Sequence, residues 1–312
     1  MRAAVLREIG GTLELAELPD PVPGQGEVVV DVSHASVNPL DIWISRGTPG
    51  AAAANLPWIP GTVGAGTYAG RSVLIRGEGH GVVRQGLFAS KAAASPEAIM
   101  PLPAGVDRAV ACAIGVAGVT AWNCVNVLGQ CSSEDRVLVL GASGGVGSMI
   151  VQLAKATGAT VWGQTTSAAK MPAIDALGAD RAVVADADSL AATVSELRPT
   201  LVVDGLGGTV TPAAVAVLDL RGRLVLFGAS AGDDIPLSSR GFYRKGISLF
   251  GYTGLLEPPE RQAALVTQLL QLVCDGRLVV PIEVLPLSSA AAAFQRILDR
   301  QVEGKLVLDT SR

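Results

Sequence analysis

The spacing of apolar and polar positions changes character along the chain, and the change predicts its organisation. Up to about residue 107, short alternating or β-branched runs (LELAEL, EVVVDVS, RSVLIRG) are cut by PDPVPGQG, RGTPG and LPWIPG. Runs of that length between proline and glycine turns predict short strands of a small barrel or sandwich. From about Asp107, helical stretches alternate with continuous apolar runs: RVLVLGA, ATVWGQT, RAVVAD, TLVVDGLG, GRLVLFGAS and ISLFGYTG. A strand that is apolar at every position is covered on both faces, so this part predicts a parallel sheet with crossover helices. The chain then returns through a helix (PERQAALVTQLLQLVCDG), a strand (LVVPIEVLPL), a second helix and a closing strand, GKLVLDTS. It shows no internal repeat and no low-complexity tail.

At 312 residues the chain exceeds one ordinary domain, so two domains with an active-site cleft between them are expected. Hydrophobic residues make up 49% of it and the mean hydropathy is +0.42. The run AVACAIGVAGVTAW nevertheless falls short of a bilayer span, and a soluble protein is expected. The start, MRAAVLREIGG, lacks an apolar core followed by a cleavage site, which favours the cytoplasm. A net charge of −4 with no basic run leaves no electrostatic footprint for nucleic acid. The four cysteines, Cys112, Cys124, Cys131 and Cys274, show no C-x-x-C spacing and read as small buried hydrophobes.

The most informative stretch is VLVLGASGGVGSMIVQLAKATGATVWGQTTSAAK, Val137 to Lys170. It reads as strand, glycine turn, helix and second strand, the order in which a turn meets a dinucleotide pyrophosphate at a helix N-terminus. The residues expected there are Gly141, Ser143, Gly144, Gly145, Val146 and Gly147. At the end of the second strand, a carboxylate would hold the ribose hydroxyls and repel a 2′-phosphate. This chain instead reads Gln164, Thr165, Thr166, Ser167 and then Lys170. Hydroxyls and an ammonium accept a phosphate that a carboxylate would reject, so NADPH is expected over NADH. Thr166, Ser167 and Lys170 are the binding candidates, with Arg181 a further phosphate partner; a solvated Lys170 is the alternative.

With these motifs in place, the chain resembles the medium-chain dehydrogenase/reductase superfamily, specifically its zinc-free quinone oxidoreductase branch, over nearly its whole length. VNPLDIWISRG resembles the Asn-Pro-x-Asp segment of that branch, LPWIPGTVGAG its Pro-Gly turn, and GVAGVTAW the helix entering the cofactor domain. GASGGVG and the terminal GKLVL complete the set. The resemblance implies an α/β protein: a GroES-like β domain (1–107 and 247–312) beside a doubly wound Rossmann domain (108–246). It places Asn38 near the nicotinamide and substrate, Asp41 as the residue orienting that loop or merely fixing a turn, and Trp43 in an aromatic wall. It puts Thr120, Phe227 and Ser230 near the cofactor. Lys305 joins them, with strand capping as its alternative, and Tyr252 is a candidate whose alternative is packing. A homodimer formed by edge pairing of Rossmann strands is a further implication, with ISLFGYTGLL as the contact.

Zinc-bearing relatives use the metal as a Lewis acid, but Asn38 stands where their ligand cysteine sits, Thr62-Val63 replaces a His-Glu pair, and the cysteine-rich lobe is missing. His34 and His80 have no matching cysteines or carboxylates in sequence, so no metal is expected. Without one, hydride transfer to a quinone or to the β-carbon of an α,β-unsaturated carbonyl is the favoured chemistry, with charge developing on an oxygen held by donors. Two departures bear on substrate. GAGTYAGRSVLI runs almost directly into the next strand, roughly a dozen residues short of the family pattern between Gly66 and Val73, which would reshape one wall of the pocket. No tyrosine follows the Asn-x-x-Asp segment, where Arg46-Gly47-Thr48-Pro49 stands, which disfavours a fatty-acid enoyl reductase. GTPGAAAANLPW suits a loop at the site mouth or a surface connector. A specialised biosynthetic enzyme performing enoyl reduction or reductive cyclisation, and a non-catalytic nucleotide-binding protein, remain alternatives.

Overall fold

The structure, a computed structural model, describes residues 1–47 and 56–312. Most of the GTPGAAAANLPW segment therefore lies outside the described residues. The chain forms two compact units, residues 1–116 with 258–312, and residues 117–257.

In the first unit the strands run in the order Ile282–Pro286, Lys305–Asp309, Val28–Ser36, Val63–Tyr68, Arg71–Arg76 and Ile99–Pro101, with Lys91–Ala94 also paired to Val28–Ser36. Arg2–Val5 and Glu14–Glu17 form a separate antiparallel pair. Trp58, Phe88, Leu87, Ile75 and Leu308 fill the core, each side chain withdrawing apolar surface worth about 1.5–3 kcal/mol. The closing strand pairs antiparallel with Val28–Ser36, in the register Val307↔Ser36 and Asp309↔His34. That register carries Lys305 to the far end of the earlier strand, where Val37 donates its N–H to Leu306 O at 3.0 Å.

The stretch between Gly66 and Val73, short by the family pattern, is a tight hairpin. Tyr68 pairs with Arg71, and Ala69 and Gly70 both adopt positive φ (48° and 75°). Two left-handed residues give the turn whose twist matches its flanking strands, which is how so short a connection closes.

The second unit is a six-stranded parallel sheet in the order Arg181–Val184, Thr160–Thr165, Arg136–Leu140, Leu201–Asp204, Arg223–Leu226, Ser248–Gly251. Numbered along the chain this order is 3-2-1-4-5-6, the doubly wound dinucleotide-binding arrangement. Its central strands are buried on both faces, with Leu138, Val139, Val202 and Val203 fully enclosed, as the continuous apolar runs predict.

Three expectations need adjustment. The units divide at 116/117 and 257/258, later than 107/108 and 246/247. Helix Arg108–Trp122 runs through the first position without a break, and Ser248–Gly251 pairs into the parallel sheet. The apolar run at Ala109 belongs to a helical segment, Arg108–Leu128, of 21 residues, long and apolar enough to cross a bilayer, whereas the sequence run alone fell short. With 72% of its most apolar window buried inside the protein, it is a core helix. Finally, Cys112 and Cys124 are buried as expected, but Cys131 is half-buried and Cys274 exposed, the latter at the end of helix Pro259–Cys274.

Ala69 bears a Cβ in a left-handed conformation that disfavours one. Ala69→Gly is expected to stabilise the protein by about 0.5–1 kcal/mol, read as a higher urea midpoint at unchanged m value. An unchanged or lower midpoint would show that the turn carries no such strain.

Candidate active site and nucleotide turn

Asn38 precedes helix Pro39–Ser45, and Pro39 at the first helical position supplies the backbone angle that starts it. Asp41, three residues on, accepts the N–H of Asn38 at 2.7 Å through Oδ2. Its Oδ1 accepts the N–H of Thr62 at 3.0 Å, tying the helix start to the Pro-Gly turn. Gly61 in that turn sits at φ +107°, and a Cβ there would lie 2.5 Å from the Phe88 ring, so glycine alone fits and Thr62 is delivered in one position. From the closing strand, Lys305 Nζ donates to Val37 O and to Asn38 Oδ1, both at 2.6 Å. Asn38 Nδ2 donates to Ser36 O at 3.2 Å, and lies 3.3 Å from both Ser36 Oγ and Thr62 Oγ1.

This cluster is almost closed to solvent: Asp41 is 0% exposed, Asn38 1%, Lys305 5% and Thr62 7%. Burial pushes the Asp41 carboxyl up to about 6, against the backbone donor of Asn38, the attraction of Lys305 and the nearby Thr62 hydroxyl. Burial also lowers the Lys305 ammonium to about 8, opposed by Asp41 and Cys112. Asp41 therefore serves the backbone and orients the loop. The Asn38 amide, expected beside substrate and nicotinamide, is committed to protein partners at both ends. Trp43, expected in an aromatic wall, is 40% exposed on the same short helix. Lys305, grouped with the cofactor residues on sequence, makes its contacts to Val37 and Asn38 in the first unit.

In the second unit the glycine turn follows strand Arg136–Leu140 and feeds helix Gly147–Ala156. Gly141 has φ +66°, and a Cβ on Gly147 would lie 2.3 Å from Gly141 O and 2.9 Å from Ala142 Cα. Helix and strand thus approach more closely than any side chain allows. Ser143 is buried, while Gly144, Gly145 and Val146 are half-buried at the helix start, where N–H groups and the helix dipole favour an anion. Gln164 holds the turn from below, accepting the Gly141 N–H at 3.0 Å and donating to Ala185 O at 2.5 Å.

Beyond Gln164 the strand ends with Thr165 buried, Thr166 exposed, and Ser167 and Lys170 half-exposed. Arg181 stacks on Trp162, 4.6 Å from the ring centroid, and pairs with Glu196. It is thus occupied as well as exposed. Thr120 lies in the helix, half-buried. The Phe227 ring fills the space where a Cβ on Gly205 would sit, 2.5 Å away, and Ser230 Oγ donates to Gly205 O at 3.2 Å. Tyr252 OH accepts from the buried Asn123 amide at 3.2 Å, which is a packing role. Among the described residues no three His, Cys, Asp or Glu side chains gather into a ligand set. His34 Nδ1 lies 3.0 Å from Ser33 Oγ, and both ring nitrogens of His80 lie 3.0 Å from backbone carbonyls. Sequence reasoning singled out Thr62 only as a replacement for a metal ligand, and passed over Ser36 and the inward turn of Gln164. The Pro-Gly turn before Thr62 was the one signal available.

A two-domain α/β fold with a doubly wound sheet and a glycine turn defines a dinucleotide-dependent oxidoreductase architecture, and known proteins narrow it. Residues 145–271, within and just beyond the nucleotide-binding unit, match the family model described as zinc-binding dehydrogenase. The probable acrylyl-CoA reductase AcuI of Escherichia coli is 28% identical, covering 95% of this chain and 94% of its own. Among solved structures, the quinone oxidoreductase of Thermus thermophilus, determined alone and with NADPH, is 30% identical with a TM-score of 0.83 over 99% of this chain and all of its own. An NAD-dependent alcohol dehydrogenase superposes with a TM-score of 0.86 at 29% identity, covering 99% of each chain. The chain belongs to the medium-chain dehydrogenase/reductase superfamily, in its zinc-free quinone oxidoreductase-like branch.

The two turn glycines make different demands. A Cβ at Gly144 would meet only Gly141 O, at 3.3 Å, against the backbone collision at Gly147. Gly147→Ala is expected to cost about 1–3 kcal/mol, and Gly144→Ala clearly less, in parallel denaturant titrations. Equal costs would mean the helix is free to slide from the strand.

Proposed function

We propose that this chain is an NADPH-dependent, zinc-independent reductase that adds hydride to an α,β-unsaturated carbonyl compound or a quinone. The observation that carries the cofactor is the end of strand Thr160–Thr165. Gln164 turns inward to the glycine turn, and the following Thr166 and Ser167 leave hydroxyls, with no carboxylate from 164 to 167, ahead of Lys170. The cradle at Gly141–Gly147, which a Cβ would fill, fits a pyrophosphate. NADPH-bound relatives and an acrylyl-CoA reductase relative support the same reading.

Bound NADPH supplies the hydride. The turn residues Gly141, Ser143, Gly144, Gly145, Val146 and Gly147 would hold its pyrophosphate, and Thr166, Ser167 and Lys170 its 2′-phosphate. Thr120, Phe227 and Ser230 are assigned to the remainder of the cofactor. As the β-carbon of the acceptor receives hydride, charge moves to the carbonyl oxygen, and the Asn38 cluster of the first unit supplies the dipoles that stabilise it. Asp41 keeps that cluster in place, Trp43 offers an exposed aromatic face to the substrate, and solvent delivers the final proton. No metal takes part in this reading, since the Asn38 region offers an amide, hydroxyls and an ammonium rather than a thiolate and imidazole.

The protein is read as a soluble, cytoplasmic homodimer. Ser248–Gly251 is the last strand of its sheet, and Leu249, Leu255 and Leu256 beside it are exposed, an edge suited to a second copy. Light scattering is expected to give twice the 31.7 kDa chain mass. A monomer at working concentration would remove the dimer from the reading.

The deciding assay follows nicotinamide absorbance with NADPH and NADH over a panel of enones, short enoyl thioesters and quinones. NADPH is expected to be consumed faster, with a product two hydrogens heavier than the substrate. Ser167→Asp is expected to shift the ratio of kcat/KM toward NADH by about tenfold or more, since a carboxylate there repels the 2′-phosphate. Equal or better use of NADH by the unaltered protein would overturn the cofactor assignment, and a product isomer would point to cyclisation.

A further inference from the structure

A doubly wound sheet has two mononucleotide-binding halves, and the dinucleotide lies across the carboxyl ends of their strands. Here the glycine turn and the Thr166–Lys170 stretch belong to the half built on Arg136–Leu140, Thr160–Thr165 and Arg181–Val184. The nicotinamide ribose therefore falls to the segments that follow Leu201–Asp204 and Arg223–Leu226. Those segments, residues 205–208 and 228–232, interlock through main chain. Leu206 O accepts the Ala231 N–H at 2.6 Å, and Gly207 forms a parallel bridge with Gly232. Gly207 and Gly208 take φ of +67° and +56°, and a Cβ on them would lie 2.7 Å from Gly232 O and 2.6 Å from Ala231 O. A Cβ on Gly228 would lie 2.7 Å from Gly205 O.

One buried side chain holds this pair of segments. Asp204 is 0% exposed, and its Oδ1 accepts the N–H groups of Leu206 at 2.7 Å and Gly207 at 3.2 Å. Its Oδ2 accepts the hydroxyl of Thr211, on helix Val210–Val217, at 2.5 Å. Its main-chain carbonyl accepts the Phe227 N–H at 2.9 Å. Leu206, fixed by that carboxylate, reaches the glycine turn, its Cδ2 lying 3.2 Å from where a Gly141 Cβ would stand. Asp204 is flanked in register by Leu140 and Leu226, so it breaks an apolar row at the strand ends. Burial pushes its carboxyl above the ordinary carboxylate range, against the Thr211 hydroxyl and the two N–H groups. A strand buried on both faces gains nothing from such a residue, whereas the turn after it gains a fixed shape.

We propose that Asp204 is a positioning residue for the nicotinamide ribose and its phosphate, holding residues 205–208 and 228–232 as a main-chain surface against which that half of NADPH lies. The proposal rests on the reading of the chain as NADPH-dependent, and adds the residue that shapes this half of the site. All of these residues belong to the unit 117–257. Phe227 and Ser230, assigned above to the cofactor, are part of the same surface: the Phe227 ring covers Gly205, and Ser230 Oγ donates to Gly205 O. Glycines at 205, 207, 208 and 228 let main chain approach a sugar and a phosphate closely, as in the glycine turn. Asp204 has no exposed surface, so it acts through these segments and touches neither cofactor nor substrate. Without it, the Leu206 and Gly207 N–H groups lose their acceptor and the surface is free to relax. The adenosine half is held separately, by Gln164 between Gly141 and Ala185.

The test compares dissociation constants for NADPH and for 2′,5′-ADP, a fragment carrying the adenosine half alone, in the full-length protein, alongside urea unfolding of each variant. Asp204→Ala is expected to weaken NADPH binding about tenfold or more, with 2′,5′-ADP affinity kept within about twofold. Asp204→Asn keeps an oxygen for Leu206 and Gly207 and gains an amide that can donate to Thr211, and is expected to recover most of the loss. Thr211→Val removes only the bond to Oδ2 and is expected to weaken NADPH about threefold, which keeps the proposal testable where Asp204→Ala does not fold. Asp135→Asn is the control for lost stability alone. Asp135 accepts from Thr200 and Arg223 at the opposite ends of the same strands, and its variant is expected to be less stable with NADPH affinity unchanged. A folded Asp204→Ala that binds NADPH within about twofold of the original, or a Thr211→Val that binds it unchanged, would overturn the proposal while the NADPH reading stood. So would equal losses for NADPH and 2′,5′-ADP, an unrescued Asp204→Asn that unfolds normally, or an equal loss in Asp135→Asn. An unaltered protein that binds neither NADPH nor 2′,5′-ADP would defeat the NADPH reading, and the proposal with it.

Discussion

The first unit depends on one buried carboxylate. Asp41 has no contact with solvent, yet it carries two backbone hydrogen bonds, to Asn38 three residues away and to Thr62 twenty-one residues away. Removing a carboxylate from water is expensive unless donors replace the lost hydration, and backbone N–H groups replace it with fixed geometry. The helix start, the Pro-Gly turn and the closing strand all meet around it. Lys305, 267 residues from Asn38 in sequence, arrives there only because the last strand pairs with Val28–Ser36. The two charges do not form a direct ion pair among the described contacts. They act on each other across the Asn38 loop, which is why burial still dominates both titrations.

That arrangement has a definite linkage to pH. The Asp41 carboxyl titrates higher in the fold than its ordinary 3.8, so its contribution to stability is greatest below that value and is lost as pH rises through about 6. Lys305 titrates lower than its ordinary 10.5, so the folded state binds fewer protons than the unfolded chain between about 8 and 10.5, and stability gains as pH rises across that window. Near neutrality both groups are charged, the condition least favourable to the fold. What they give in exchange is direction: a set of donors and acceptors with one possible orientation.

The glycine turn was legible in sequence because everything it needs is local. A strand, a turn with Gly141 and Gly147, a helix and a second strand follow within one stretch, and the close approach at Gly147 is the reason for its residue type. The parallel sheet was legible for the same reason, since strands buried on both faces are apolar at every position. The domain boundary was not, because helix Arg108–Trp122 crosses it with no proline or glycine signal that differs from its own interior. Lys305 was read with the cofactor set because its partners depend on a strand register between distant segments, which no local pattern encodes. Thr62 escaped for a related reason: a threonine after Pro-Gly looks ordinary until Asp41 and Asn38 are placed beside it.

The Thr62 side chain belongs to the same buried network, between the Asn38 amide and the Asp41 carboxyl. The main-chain N–H of Thr62 is satisfied by Asp41 whatever the side chain, and Asn38 Nδ2 already has the Ser36 carbonyl. The Thr62 hydroxyl in turn hydrogen-bonds the Asp41 carboxyl, so valine, of nearly the same volume, would take one partner away from a buried carboxylate. That hydrogen bond lowers the Asp41 carboxyl, ranking behind the Asn38 backbone donor and the Lys305 charge. In the same cluster Asp41, Lys305 and the Asn38 amide oxygen all have hydrogen-bond partners. Each polar group of the cluster is answered by another, which is the condition under which a carboxylate, an ammonium and an amide can be buried together.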